Sequence, residues 1–370
     1  MRRALATVDV GAIERNCARI VAGLDPGASL CAVVKADGYG HGAVECARAA
    51  VRGGASYLAV ATAGEALELR NAFPDRLLLT MGALSEQDLD TALLAGSEIA
   101  VWNEDFMQLV ERRASDHGMS ARVHVKFDSG MGRLGEADPE RILRLCDSGF
   151  GPEVVGLWTH YATADEADTA YLEQQVERFS GVVERVRATL DVPLVHASNS
   201  AATLGGVAPD FDMVRCGVAI YGLDPFQQDP AEQDLEPAMS LASYVAAVKR
   251  FSAGSSAGYG RRWRAERDTW VGVLPIGYAD GVRRDLGNRA DVLIGGRRHP
   301  MVGTVSMDNL TVDLGPETDV EIGAPAVLIG GQDDERILAE ELARKLETIN
   351  YEIVTGIGPR VSRRYVGNTA

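Results

Sequence analysis

The sequence predicts a (β/α)8 barrel of the TIM type followed by a mostly β C-terminal domain, and three observations carry that prediction. About eight short apolar runs alternate with amphipathic helical stretches over the first two-thirds of the chain. Beyond Asp224 the texture changes to short β-like runs separated by turns such as Gly295-Gly296 and Gly330-Gly331. The 370 residues, 46% hydrophobic and 24% charged, suffice for one large barrel and a smaller domain of ordinary globular composition. An open doubly wound sheet is the alternative, because strand counts from one sequence are inexact.

In order, the barrel pattern begins with a strand over Leu30–Lys35 and a helix over Ala43–Arg52. Tyr57–Ala61 with Gly64–Ala72, Leu77–Met81 with Ser85–Ala95, and Ile99–Trp102 with Asp105–Ala114 repeat the unit. Arg122–Phe127 with Pro139–Asp147 and Val154–His160 with Ala170–Leu190 follow, and Leu194–Ala197 and Val214–Ile220 close the series. Gln227–Glu236, polar and flanked by Pro225 and Pro237, reads as a linker. After it come strands over Ser243–Arg250, Thr269–Leu274, Ala290–Ile294, Thr311–Leu314 and Ala326–Ile329, and a helix over Arg336–Leu346. The expected division is a barrel over 12–230 and a β domain over 231–370. Residues 1–11 are expected to form a strand packing with the C-terminal domain.

The formal charge of −16 argues against sequence-independent nucleic-acid binding, which needs a basic face to displace counterions. Asp9 and Glu14 interrupt any N-terminal apolar run, so no signal peptide is readable, and no segment has the uninterrupted apolar length of a membrane span. Five scattered cysteines fit reduced thiols in a cytoplasmic protein better than a disulfide framework. No C-x-x-C pair and no histidine pair at helical spacing offers a structural metal site, so no metal is expected.

Barrels of this kind present functional side chains where strands end. Lys35 stands there, after Leu30–Val34 and before Ala36-Asp37-Gly38-Tyr39-Gly40-His41-Gly42. Partial burial would lower its pKa and supply a neutral amine for a Schiff base, although on position alone a strand-end lysine reaching water fits better. The glycines are spaced G-x-G-x-G and not G-x-G-x-x-G, which weakens a dinucleotide reading.

The run Ala32–Gly42 resembles the cofactor-lysine signature of alanine racemases, and the resemblance recurs in order along nearly the whole chain. Lys126-Phe127-Asp128-Ser129-Gly130-Met131-Gly132-Arg133, Trp158-Thr159-His160-Tyr161-Ala162, Asn199-Ser200-Ala201 and Arg215-Cys216-Gly217-Val218 are similar to further family blocks. So are Gly258-Tyr259-Gly260, Pro275–Gly281, Val305-Ser306-Met307-Asp308 and Asn350-Tyr351-Glu352.

The resemblance implies an enzyme that interconverts L- and D-alanine with pyridoxal 5'-phosphate and supplies D-alanine for peptidoglycan. It also implies a homodimer with its active sites at the subunit interface. Lys35 is implied to hold the cofactor and serve as base on one face of Cα, with Tyr259, reaching across from the partner subunit, as base on the other. A tyrosine titrates near ~10 and needs help to act at neutral pH; His160, linked to Arg215, is implied to give it. Arg215 is implied to face the cofactor's ring nitrogen, leaving it unprotonated because a guanidinium only donates. The hydroxyls of Tyr39, Ser200 and Tyr351 and the N–H groups of Gly217 and Val218 are implied to hold the phosphate. Arg133 and the Met307 N–H are implied to bind the substrate carboxylate. Lys126 is implied to be carbamylated and to orient Arg133, while Tyr278 and Tyr351 narrow the entrance with Asp165 further out.

The chain departs from the family pattern at Gly258, where serine is usual, at Thr304, where an entrance arginine is common, and at Ser306, where cysteine is frequent. These leave a serine or broad-specificity racemase open. A non-catalytic cofactor carrier of the same barrel type would lack the β domain and Tyr259. A basic-amino-acid decarboxylase would need a C-terminal catalytic cysteine, and none lies beyond Cys216.

Overall fold

The chain starts with β1 (Leu5–Asp9) and a helix over Val10–Gly23, and then enters eight parallel strands that close into a barrel. These are β2 (Ser29–Val33), β3 (Tyr57–Val60), β4 (Leu77–Thr80), β5 (Glu98–Val101), β6 (Arg122–Lys126), β7 (Glu153–Trp158), β8 (Leu194–Asn199) and β9 (Met213–Cys216). Closure comes from β2 pairing with both β3 and β9, with Cys31 opposite Arg215 and Ala32 opposite Cys216. The sheet is therefore a barrel and not an open doubly wound sheet. The computed structural model describes residues 2–147, 149, 151–192 and 194–367.

Local sequence explains most of the alternation. β3 and β5 are buried at every position, which is why parallel strands read as mostly apolar runs, with Glu98 the exception in β5. The helices between them start at side-chain caps: Thr62 with Glu65 in a reciprocal capping box, Ser85, Asn103, and Asp138 ahead of Pro139.

Contacts divide the chain into two units, one of Ile13–Tyr39 and Ala43–Ile220, the other of Met1–Ala12, Gly40–Gly42 and Tyr221–Ala370. The second unit is built on β10 (Met239–Tyr244), β11 (Ala247–Phe251), β12 (Ser256–Ala257), β13 (Trp263–Arg264), β14 (Thr269–Leu274), β15 (Asp291–Ile294) and β16 (Arg297–Pro300). It continues with β17 (Leu310–Gly315), β18 (Pro325–Gln332), β19 (Glu335–Ile337) and β20 (Ser362–Val366). Its main sheet runs β16-β15-β18-β10-β1-β20, so the N-terminal strand lies between β10 and β20.

Several elements differ from the sequence expectation. The first barrel strand stops at Val33 because Ala36, Asp37, Gly38 and Tyr39 all take left-handed backbone angles. The last stops at Cys216, where a 3-10 turn over Val218–Tyr221 begins. The expected strand over Ser243–Arg250 is two strands, β10 and β11, that belong to different sheets. The expected helix over Arg336–Leu346 begins only at Ala339, since Glu335–Ile337 pairs with β18. Residues 227–236 are no free linker: Pro230 and Leu235 are buried, and the Gln227 amide exchanges hydrogen bonds with Asn350. Among the described residues, no helix is long and apolar enough to cross a membrane.

Candidate active site

The barrel strands deliver basic and hydroxyl side chains to one mouth. Lys35 follows β2, Lys126 ends β6, His160 stands two residues past β7, Ser200 follows β8, and Arg215 lies on β9 with Gly217 just beyond. The backbone after Lys35 is a left-handed turn at Ala36, Asp37, Gly38 and Tyr39. Left-handed geometry costs an L-residue about 1–2 kcal/mol, so the surroundings must hold it. Glu65 does so, accepting from the Ala36 N–H at 2.6 Å through Oε1 and from the Ala61 and Thr62 N–H groups through Oε2. Asp37 in turn accepts from the Ala43 N–H at 3.0 Å.

Arg215 is the hub, 3% exposed. Its Nη2 donates to the carbonyls of Thr159 at 2.8 Å and Ala197 at 2.9 Å and to His160 Nδ1 at 3.1 Å, and its Nη1 donates to His196 Nδ1 at 2.9 Å. The guanidinium also lies over the Trp158 ring, 4.9 Å from its centroid. Burial lowers its pKa to about 10, still far enough up to keep it charged. Burial, followed by the Arg215 and Arg133 charges, pushes His160 well below the ordinary histidine range. His160 is therefore neutral, accepts at Nδ1 and carries its proton on Nε2.

The two lysines are softened in the same way. Burial, then Arg133, lowers the Lys35 pKa, with Arg215 adding to the effect and Glu65 opposing it. Burial, then Arg133 and Arg215, brings Lys126 down to about 8, with its amine 4.3 Å from the Trp158 ring centroid. The Asp128 carboxylate accepts from the Gly130 and Gly132 N–H groups of its own loop. Arg133 and Asp165 are exposed.

Hydroxyl and backbone N–H groups cluster at the ends of β8 and β9. Ser200 Oγ, 3% exposed, accepts from the Gly217 N–H at 3.1 Å and the Ala219 N–H at 3.4 Å. A Cβ on Gly217 would sit 2.2 Å from the Tyr39 hydroxyl, so glycine is what lets that hydroxyl approach the backbone. Burial raises the Tyr39 pKa and keeps it a donor. Val218 opens the 3-10 turn, almost fully buried.

The other candidate residues lie in the second unit. Tyr259 is 72% exposed, and Tyr278 and Met307 are exposed as well. The segment 304–307 ties these three together: Thr304 Oγ1 donates to the Tyr259 carbonyl at 2.8 Å, and the Tyr278 and Ala279 N–H groups donate to the Ser306 and Met307 carbonyls. Glycine precedes Tyr259 for a local reason: φ is 70° at Gly258, and a Cβ would meet the Thr304 backbone at 2.8 Å. Tyr351 is half-buried on the helix Asn350–Thr355.

Sequence reasoning passed over Glu65, Glu98, His124 and His196, all bonded within this barrel. Only the alternation Arg122, His124, Lys126 on one face of β6 signalled a polar barrel interior.

A barrel whose softened amines, buried guanidinium and hydroxyl cluster gather at the strand ends is the layout of an enzyme, with a second β unit following it. The N-terminal domain model of alanine racemase matches residues 8–225, and the C-terminal domain model matches 238–365. The chain is 40% identical to an alanine racemase of Symbiobacterium thermophilum over 100% of this chain and 99% of that one. It is 41% identical to one of Mycobacterium avium over 97% and 94%. The solved alanine racemase from D-cycloserine producing Streptomyces lavendulae superposes with a TM-score of 0.94 at 35% identity, covering 100% of this chain and 98% of that one. The chain belongs to the alanine racemase family, and with it to the racemases among the isomerases.

Proposed function

We propose that this chain interconverts L-alanine and D-alanine with pyridoxal 5'-phosphate, as a homodimer. The observation that carries this reading is Arg215, a buried donor-only group on the strand next to the one that Lys35 follows. The residues present fit the cofactor: a cradle that a Gly217 Cβ would fill, edged by the Tyr39 and Ser200 hydroxyls, for a phosphate; Arg215 for a ring nitrogen; and the Lys35 amine for an aldehyde. Val218 and Tyr351 complete the phosphate set in this reading. When bound, the cofactor supplies an aldehyde that joins the substrate amine and a ring that draws electrons from Cα.

The chain's own residues would do the rest. Lys35, its basicity lowered by burial, takes or returns the proton on one face of Cα. Tyr259 of the partner subunit does so on the other face; its 72% exposure suits a residue that completes a neighbouring site. The Nε2–H of His160 donates to that phenolate and stabilises it. Arg133 and the Met307 N–H bind the substrate carboxylate, and Lys126, with a pKa of about 8, offers the free amine that a carbamate needs in order to orient Arg133. Tyr278 narrows the entrance. Five free, buried cysteines suit a cytoplasmic enzyme that makes D-alanine for peptidoglycan, a role that D-alanine auxotrophy on gene deletion would test.

The test is circular dichroism of L-alanine over time with cofactor-loaded protein, beside Tyr259→Phe. The signal should decay to zero at constant total alanine and decay far more slowly in the variant. A yellow, folded protein that leaves L-alanine unchanged overturns the reading. A wider amino-acid range is the second reading, favoured by Thr304 where relatives commonly place an arginine. Decay of L-serine at a comparable rate would establish it.

A further inference from the structure

Barrel interiors of this kind are filled mostly by branched apolar side chains. This one is crossed by a line of four polar residues, Glu98, His124, His196 and Arg215, none more than 3% exposed. From Arg215 Nη1 to His196 Nδ1 is 2.9 Å, from His196 Nε2 to His124 Nδ1 is 2.9 Å, and from His124 Nε2 to Glu98 Oε2 is 2.7 Å. Glu98 Oε1 ends the line 3.2 Å from Arg122, whose side chain reaches solvent where β6 begins. The line thus runs from the strand starts to the functional mouth.

The barrel is shaped for it. A Cβ at Gly156 on β7 would fall 2.0 Å from His124 Nδ1, so that strand leaves out a side chain where the ring lies. Trp158 stacks on His196 at 5.7 Å with planes 8° apart, and Tyr57 meets His124 edge-on at 6.4 Å.

Its direction is set by its ends. Arg215 only donates, so His196 Nδ1 must be bare and His196 must carry its proton on Nε2. That proton obliges His124 Nδ1 to be bare, and His124 Nε2–H then meets a carboxylate that only accepts. Both ends demand the same tautomer of both rings. Reversal would set a His196 N–H against an Arg215 N–H.

We infer that Glu98 and His124 are positioning residues for Arg215: the one-way line Arg215→His196→His124→Glu98 fixes the guanidinium's place and keeps its remaining donors aimed into the site. This rests on Arg215 facing the cofactor in the proposed racemase. Without the acceptor at 98, Arg215 still sets both tautomers, but the His124 Nε2–H is left buried and unpaired, the two rings shift toward another acceptor, and Arg215 loses its defined position.

The experiment is 15N NMR of histidine-labelled, cofactor-loaded enzyme, paired with kinetics of E98Q and E98M. In the wild type, His196 and His124 should each show a protonated Nε2 and a bare Nδ1. E98M should keep the tautomers but move the His124 Nε2 signal as its hydrogen bond is lost, and lose about tenfold in kcat while KM for alanine stays within about twofold, as misplacement of a remote group does. E98Q, which keeps an oxygen acceptor, should recover both the His124 Nε2 signal and most of kcat. A wild-type His196 protonated on Nδ1 overturns the inference even if E98M fails to fold. So does a folded, loaded E98M with the wild-type kcat or wild-type nitrogen signals. If the wild type does not racemise alanine, the functional reading fails, yet the nitrogen signals still decide whether the line exists.

Discussion

Nδ1 of His160 lies 3.1 Å from Nη2 of Arg215, which obliges the histidine to accept there and to carry its proton on Nε2. Since burial and the neighbouring cations keep His160 neutral, its service to a phenolate in the proposed reaction would be a directed hydrogen bond. His160→Leu should therefore lower kcat/KM by about 100-fold. Both enantiomers must lose equally, because their equilibrium constant is one. If Tyr259 serves the L-enantiomer and Lys35 the D-enantiomer, the primary isotope effect should rise for L-[2-2H]alanine and not for the D-form, and an equal rise in both would refute that assignment of faces.

Gly217→Ala should weaken cofactor binding at least about tenfold, since its methyl would sit 2.2 Å from the Tyr39 hydroxyl and close the cradle. Titration of the apoprotein with pyridoxal phosphate measures this. Undiminished affinity would mean that the phosphate binds elsewhere.

Glu65→Ala should destabilise the protein by about 1–3 kcal/mol, because the Ala36, Ala61 and Thr62 N–H groups lose one shared acceptor beside a left-handed turn. Urea unfolding gives the number. An unchanged midpoint would show that the turn after Lys35 holds itself.

Lys126 carbamylation needs the neutral amine, so with a pKa of about 8 the carbamate should be abundant above that pH and fade as pH falls below it. A carbamate signal with 13C-bicarbonate at pH 8.5, absent in Lys126→Arg, is the expected result. A spectrum that is the same in both proteins excludes it.

In the second unit, Asp280 is fully buried at its side chain and held by both Nη groups of Arg3, at 2.5 and 2.8 Å, and by the Gly277 N–H at 3.0 Å. Burial alone would raise its pKa, but these donors outweigh it and the net shift is downward. A depressed folded pKa stabilises the fold above the unfolded value of ~3.9, and that contribution is lost as pH falls through the folded value. Asp280→Asn should cost about 3 kcal/mol at pH 7 and progressively less toward pH 3. A cost independent of pH would rule out the ion pair as its source.

The sequence by itself determined the alternation of strand and helix. A strand buried on both faces favours a largely apolar run, and most of the barrel helices begin at a residue such as Thr62 or Asp138 that caps them. These are local demands, and they made both the barrel and the position of Lys35 at a strand end legible. Tertiary structure alone decided the rest. Nothing local announces that Ser243–Arg250 divides between two sheets, or that Gln227 is tied to Asn350, 123 residues away. The same holds for the line through the barrel, where His124 meets His196 across 72 residues and Glu98 across 26. Such bonds exist only once closure brings β5, β6, β8 and β9 around one interior. There the dielectric is low, a polar atom without a partner is costly, and the donor-only guanidinium of Arg215 dictates which nitrogen each histidine protonates.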